Sequence, residues 1–121
     1  PSIFMLSESE ATALAVEQAM KKVCENNLIL QTINEGEKGN ELINETPKEF
    51  FISIATIPSD IKFEERILSY SIQIDGAMAH VWTPYEFYVN GKLSHKGVNA
   101  FTLYKEQNDW KIIHVIDTRR K

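Results

Sequence analysis

The spacing of apolar positions changes near Phe63, about halfway along the chain. Before that point Ala11, Leu14, Ala15, Ala19, Met20 and Val23 recur at helical intervals. Ser7 and Glu10 stand at capping-box spacing ahead of them. This pattern predicts a helix from about Glu8 to Cys24 with one buried face. Asn26-Asn27 ends it, 28–33 reads as a short strand, and Gly36 and Gly39 bracket a polar turn. Thr46-Pro47-Lys48-Glu49 then combines a threonine cap, a first-turn proline and a glutamate three residues on. The helix it starts presents Phe50, Phe51, Ile54 and Ala55 and stops before Pro58.

Beyond Phe63 the period is that of strands. Residues 65–74 read as one strand, followed by an Asp75-Gly76 turn. Residues 77–89, 92–105 and 110–118 supply three more, the last two separated by a turn at Gln107-Asn108-Asp109. A meander of four long antiparallel strands, preceded by helices, predicts an α+β architecture with the helices on one face of the sheet. Strands this long curve strongly, and a curved sheet wrapped on helices forms a cone whose open end suits a small molecule. No repeat or linker divides the chain, so 1–121 reads as one domain.

Asn90-Gly91, set between aromatic and β-branched runs, is a strong signal for a two-residue hairpin. Counting outward from it pairs Tyr88 with Leu93, Glu86 with His95 and Trp82 with Asn99. All three pairs then share one face. A carboxylate beside an imidazole fixes its tautomer and raises its basicity, so Glu86 and His95 are the candidate acid–base pair. The same geometry also describes a cross-strand ion pair on a solvated face. Trp82 would stack on a flat ring and Asn99 would orient a polar group, or the tryptophan is simply core. Pro84 cannot donate to a ladder and suggests a bulge or an edge. Tyr85 falls on the opposite face with Val81, Phe87 and Val89 unless such a bulge turns it inward. Asp117 and Arg119 share a face near the end of the last strand. They form a salt bridge there, or Asp117 sits at the cavity mouth with Arg66 as a second anion contact.

Charge and cysteine content narrow the partners. The net charge of −4 argues against nucleic acid and anionic membranes. Arg119, Arg120 and Lys121 read as a solvated basic tip. One cysteine, Cys24, excludes an intrachain disulfide and C-x-x-C zinc sites, and it reads as a buried structural thiol. His80, His95 and His114 lack metal-ligand spacing, and no phosphate or dinucleotide loop or nucleophile elbow occurs, so neither metal nor cofactor is expected. The first residues carry neither a basic signal region nor a membrane-spanning run, which points to a cytoplasmic location.

W-T-P-Y-E-F-Y-V-N-G-K-L-S-H-K-G-V-N-A-F-T-L and W-K-I-I-H-V-I-D-T-R-R-K resemble segments of the nuclear transport factor 2-like superfamily. Within it the chain looks like a group of small bacterial proteins labelled lumazine-binding. The resemblance covers roughly residues 20 to 121. It implies a cone-shaped, cystatin-like α+β roll with an internal cavity, often dimeric through the sheets. The superfamily holds isomerases, dehydratases, polyketide cyclases and non-catalytic modules. The leading expectation is therefore a domain that binds an unidentified flat, partly polar small molecule among Trp82, Tyr85, His95 and Asn99. One alternative is a cofactor-independent isomerase or lyase using His95 and Glu86, with Asn99 or Tyr85 polarising a carbonyl. Another is a non-catalytic interaction module. Apolar residues on both faces of the sheet predict a homodimer through the face that the helices leave open.

Overall fold

A computed structural model describes residues 24–55 and 60–121. The helix expected over 8–24 lies outside them, apart from Cys24. The described chain runs β1 (Cys24–Gly36), β2 (Gly39–Glu45), α1 (Pro47–Ala55), β3 (Phe63–Ile67), β4 (Ser71–Asp75), β5 (Met78–Val89), β6 (Lys92–Glu106) and β7 (Asp109–Arg119). It is mostly strand. The seven strands form one curved sheet in the order β2-β1-β7-β6-β5-β3, with β4 also on β5.

β1 is longer than its local pattern suggests. It pairs in parallel with β7 from Ile29↔His114 to Asn34↔Arg119, and an irregular stretch joins this to Cys24↔Ile112. This pairing extends the strand back to Cys24, where a helix end was expected. Long-range ladder bonds outweigh the local preference there. α1 follows its sequence signal. The Thr46 N–H donates to Glu49 Oε1 at 2.9 Å and the Glu49 N–H to Thr46 Oγ1 at 3.1 Å, a complete capping box.

The single strand expected over 65–74 is two. β3 pairs Ile67 with Tyr85, and β4 resumes one residue out of step with Ser71 opposite Trp82. The interruption faces Thr83-Pro84. Pro84 has no N–H, but its carbonyl accepts from Leu68 N–H at 2.8 Å. The proline's effect thus appears in the neighbouring strand, and β5 keeps its alternation.

That alternation separates two faces. Ala79, Thr83 and Tyr85 of β5, Asn99 of β6, Val115 of β7 and Leu28 and Leu30 of β1 are buried and share the inner face. Met78, Trp82 and Ile29 on the outer face are about half exposed. No helix among the described residues is long and apolar enough to cross a membrane.

Candidate functional site

The hairpin turn forms as its sequence predicts. Asn90 and Gly91 both take positive φ, 50° and 81°, and Tyr88 pairs with Leu93. The register then slips. Ser94 is an extra residue in β6, so His95 pairs with Phe87, Glu86 with Lys96, and Asn99 with Thr83. A one-residue bulge moves every later β6 side chain to the other face. The expected Glu86–His95 and Trp82–Asn99 pairs therefore do not form.

Glu86 and Trp82 lie on the outer face. Glu86 accepts from the Tyr88 hydroxyl at 3.2 Å. Arg66, opposite Glu86, donates to Glu64 at 3.1 Å and stacks its guanidinium 4.0 Å over the Tyr88 ring. Arg66 and Asp117 thus belong to different faces and form no shared anion site. Trp82 is 48% exposed beside His80.

The inner face carries Tyr85, His95, Asn99 and Asp117 together, joined by residues that sequence reasoning missed. Glu65, 4% exposed, accepts from Asn99 Nδ2 at 2.7 Å, and Thr83 Oγ1 donates to the Asn99 carbonyl at 3.4 Å. The Tyr85 hydroxyl lies 2.7 Å from the Thr118 carbonyl and 3.2 Å from Asp117 Oδ2. Thr32 Oγ1 donates to Asp117 Oδ1 at 2.6 Å, and Arg119 Nε donates to Oδ2 at 3.0 Å. The expected Asp117–Arg119 bridge is present, with Asp117 at the centre of a network. One signal for Glu65 was available. Phe63, Glu65 and Ile67 alternate as inward positions, and a carboxylate stands in the middle of them.

Aromatic rings wall one side. Phe63 stacks on Phe87 at 6.1 Å between centroids, Phe87 on the His95 ring at 4.8 Å, and Tyr85 meets His95 edge-on at 5.9 Å. Burial in this stack, reinforced by Arg119, pushes the His95 pKa below its usual value, so the ring is neutral near pH 7. Burial, then the Asp117 carboxylate, pushes the Tyr85 phenol upward and keeps it protonated. Glu45, half-buried at the end of β2, is raised by burial and by Glu49, with a smaller contribution from Asp117. The arrangement offers a neutral imidazole, a protonated phenol, an amide and carboxylates in one partly dry region. Among the described residues no cluster of three metal-ligating side chains occurs.

The His95 shift has a consequence for stability. The unfolded chain takes up a proton near the ordinary histidine pKa, and the folded chain resists it. Stability should be fully present above about pH 6.5 and fall as pH drops through the folded value. Urea titrations at several pH values should show this slope, and His95→Gln should flatten it. An unchanged slope would refute the assigned environment.

A broad open groove of about 1000 Å³ lies away from this cluster, beside the β4–β5 turn. Ile29, Met78, Tyr104 and His114 line it, and none of the residues of the inner network does. Its lining surface is largely apolar, with Asn27, Asp75, Thr102 and His114 among the residues around it.

No family model matches the sequence, and no curated protein does. Solved structures do. An NTF2-like protein from Cytophaga hutchinsonii superposes with a TM-score of 0.62 at 14% identity, covering 85% of this chain and 81% of that one. A protein from Streptomyces avermitilis, provisionally assigned as a dehydratase of the NTF2-like family, gives 0.61 at 11% identity, covering 94% and 86%. A Parabacteroides distasonis protein, provisionally assigned as a ketosteroid isomerase, gives 0.59 at 14%, covering 94% and 80%. The chain has the NTF2-like, cystatin-like fold. At these identities the likeness concerns architecture, and nothing in it supports the lumazine label.

Proposed function

We propose that the inner face binds a flat, partly polar small molecule against the Phe63–Phe87–His95 wall, with Tyr85, Asn99 and Asp117 as its polar contacts. One observation carries this reading. Glu65, Thr83, Tyr85 and Asn99 are each at most 4% exposed, and they occupy inward positions that a purely structural core fills with apolar side chains. Buried polar groups of this kind cost stability unless paired, and here they form two adjacent hydrogen-bonded groups, Glu65–Asn99–Thr83 and Tyr85 with Asp117 and Thr118. The cone expected of an α+β roll would surround this face. A screen of flat heterocycles by thermal shift tests it. A genuine ligand at a hundred times its dissociation constant should add about 2.7 kcal/mol, and Tyr85→Phe or Asn99→Ala should weaken it at least about tenfold. Binding that ignores both substitutions would refute the site.

The isomerase-like alternative now rests on different residues. Neutral His95 beside Tyr85 and Asp117 would serve as the base, and Glu86 drops out because it faces away. The fold neighbours provisionally assigned as an isomerase and a dehydratase support this alternative only as far as fold does.

The outer face favours a second copy of the chain. Ile29, Met78, Trp82 and Leu93 are each about half exposed there. Exposed apolar side chains gathered on one face of a sheet commonly mark interfaces. Trp82→Lys should lower the mass seen by light scattering from dimer to monomer. A monomeric parent protein at high concentration would end this proposal.

A further inference from the structure

The register between β6 and β7 is the same on both sides of residues 97–98. Asn99 pairs with Asp117, and Lys96 exchanges both backbone bonds with Arg120 at 2.9 Å. Between them the ladder is open. An antiparallel ladder would have Val98 N–H donate to the Thr118 carbonyl. Instead Val98 N–H donates to Thr118 Oγ1 at 3.0 Å, and the carbonyl accepts from Tyr85 at 2.7 Å. The space this carbonyl enters is the place of a missing side chain. A Cβ on Gly97 would overlap the Thr118 carbonyl oxygen and lie 2.7 Å from its carbon.

We propose that Gly97 and Thr118 form a positioning device that commits the Tyr85 hydroxyl proton to the backbone. The phenol then meets a ligand as a hydrogen-bond acceptor and selects molecules carrying an N–H or O–H donor at that point. The second clause rests on the ligand site proposed above; the first does not. Gly97 vacates the space, Thr118 Oγ1 replaces the lost ladder acceptor, and the freed carbonyl takes the single phenolic proton. Asp117 Oδ2, at 3.2 Å, is the longer of the two contacts and is already occupied by Arg119. The charged and titratable groups around the phenol are Asp117, Arg119, Glu65, His95 and, just beyond the end of β7, Arg120. A carbonyl ligand would need the proton that the backbone holds. An amine, amide N–H or hydroxyl would need only the oxygen lone pairs.

The experiment is NMR on the full chain with tyrosine labelled at Cζ. In the parent protein the Tyr85 hydroxyl proton should exchange slowly and show an NOE to the backbone around residue 118. Exposed Tyr70 serves as the fast-exchanging control. Thr118→Val keeps the shape but removes the acceptor for Val98 N–H, so the carbonyl should return to the ladder and the Tyr85 proton should exchange at least about tenfold faster. Thr118→Ser should restore the parent behaviour. Fast exchange in the parent, or a Thr118→Val spectrum identical to it, overturns the device.

Indole and benzofuran, which differ by an N–H against an ether oxygen, then test selection. Indole should bind about tenfold tighter, and the difference should vanish in Tyr85→Phe. Equal binding, or a preference for benzofuran, overturns the selection. If neither probe shifts Tyr85 at millimolar concentration, the ligand site fails and selection with it, while the exchange data still decide the device.

Discussion

Gly97→Ala should destabilise the protein by about 3 kcal/mol or more, the upper end for inserting one methyl group into a packed interior. The obstacle is backbone. The Thr118 carbonyl that a Cβ would strike is held from one side by Tyr85, and Thr118 Oγ1 is held by Val98. A flexible side chain would swing away; a strand carbonyl must take its neighbours with it. Relief requires either that β7 move outward or that the Tyr85 bond break. Urea unfolding of Gly97→Ala measures the loss. Adding Tyr85→Phe should recover part of it, because the carbonyl is then free to turn, and the double-mutant cycle should show a coupling of at least about 0.5 kcal/mol. A Gly97→Ala protein within about 0.5 kcal/mol of the parent would show that β6 and β7 are not this close.

Asn99→Asp should have a comparable effect by another route, with a distinctive pH dependence. It places a second carboxylate within hydrogen-bond distance of Glu65 Oε1, where the amide now donates at 2.7 Å. Two buried carboxylates this close cannot both stay charged, so one of them keeps its proton and its folded pKa rises. A raised carboxyl pKa contributes stability that is fully present below the unfolded value near pH 4 and lost as pH rises through the folded value. The variant should therefore lie closest to the parent at acid pH. At pH 8 it should be less stable by about 3–5 kcal/mol, the cost of a broken buried charge contact. Asn99→Ser should cost less and show no such slope. A pH-independent loss in Asn99→Asp would mean that Glu65 is not confronted by residue 99.

Both substitutions probe positions whose importance differed in how readily the sequence disclosed it. The Asn90-Gly91 turn was legible because two consecutive positive φ values demand such residues. The Thr46 cap was legible because its donors and acceptors lie within four residues of each other. The placing of Tyr85 opposite Glu86 also followed from alternation, since β5 is regular over its whole length. What failed was the partner strand. Ser94 has no φ requirement and no apolar side chain to misplace, so nothing at that position announces a bulge. One extra residue there was enough to part Glu86 from His95. Pro84 did signal an irregularity, but its missing donor is accommodated in the strand beside it. The Glu65–Asn99 and Tyr85–Thr118 bonds span 34 and 33 residues. Such pairings depend on the packing of separate strands, and residue spacing carries no trace of them.

The strand order also governs when the molecule can assemble. β1 lies between β2 and β7, so the hairpin made from residues 24–45 cannot join the sheet until residues 109–119 have been synthesised. Closing a loop of that length comes before the reward of its ladder bonds, which slows folding relative to a simple meander. The acid at position 117 and the hydroxyl of Thr32 belong to these same two strands. A nascent chain therefore completes its polar interior at the final step, and until then the early hairpin offers an unpaired edge to chaperones or to other copies of itself.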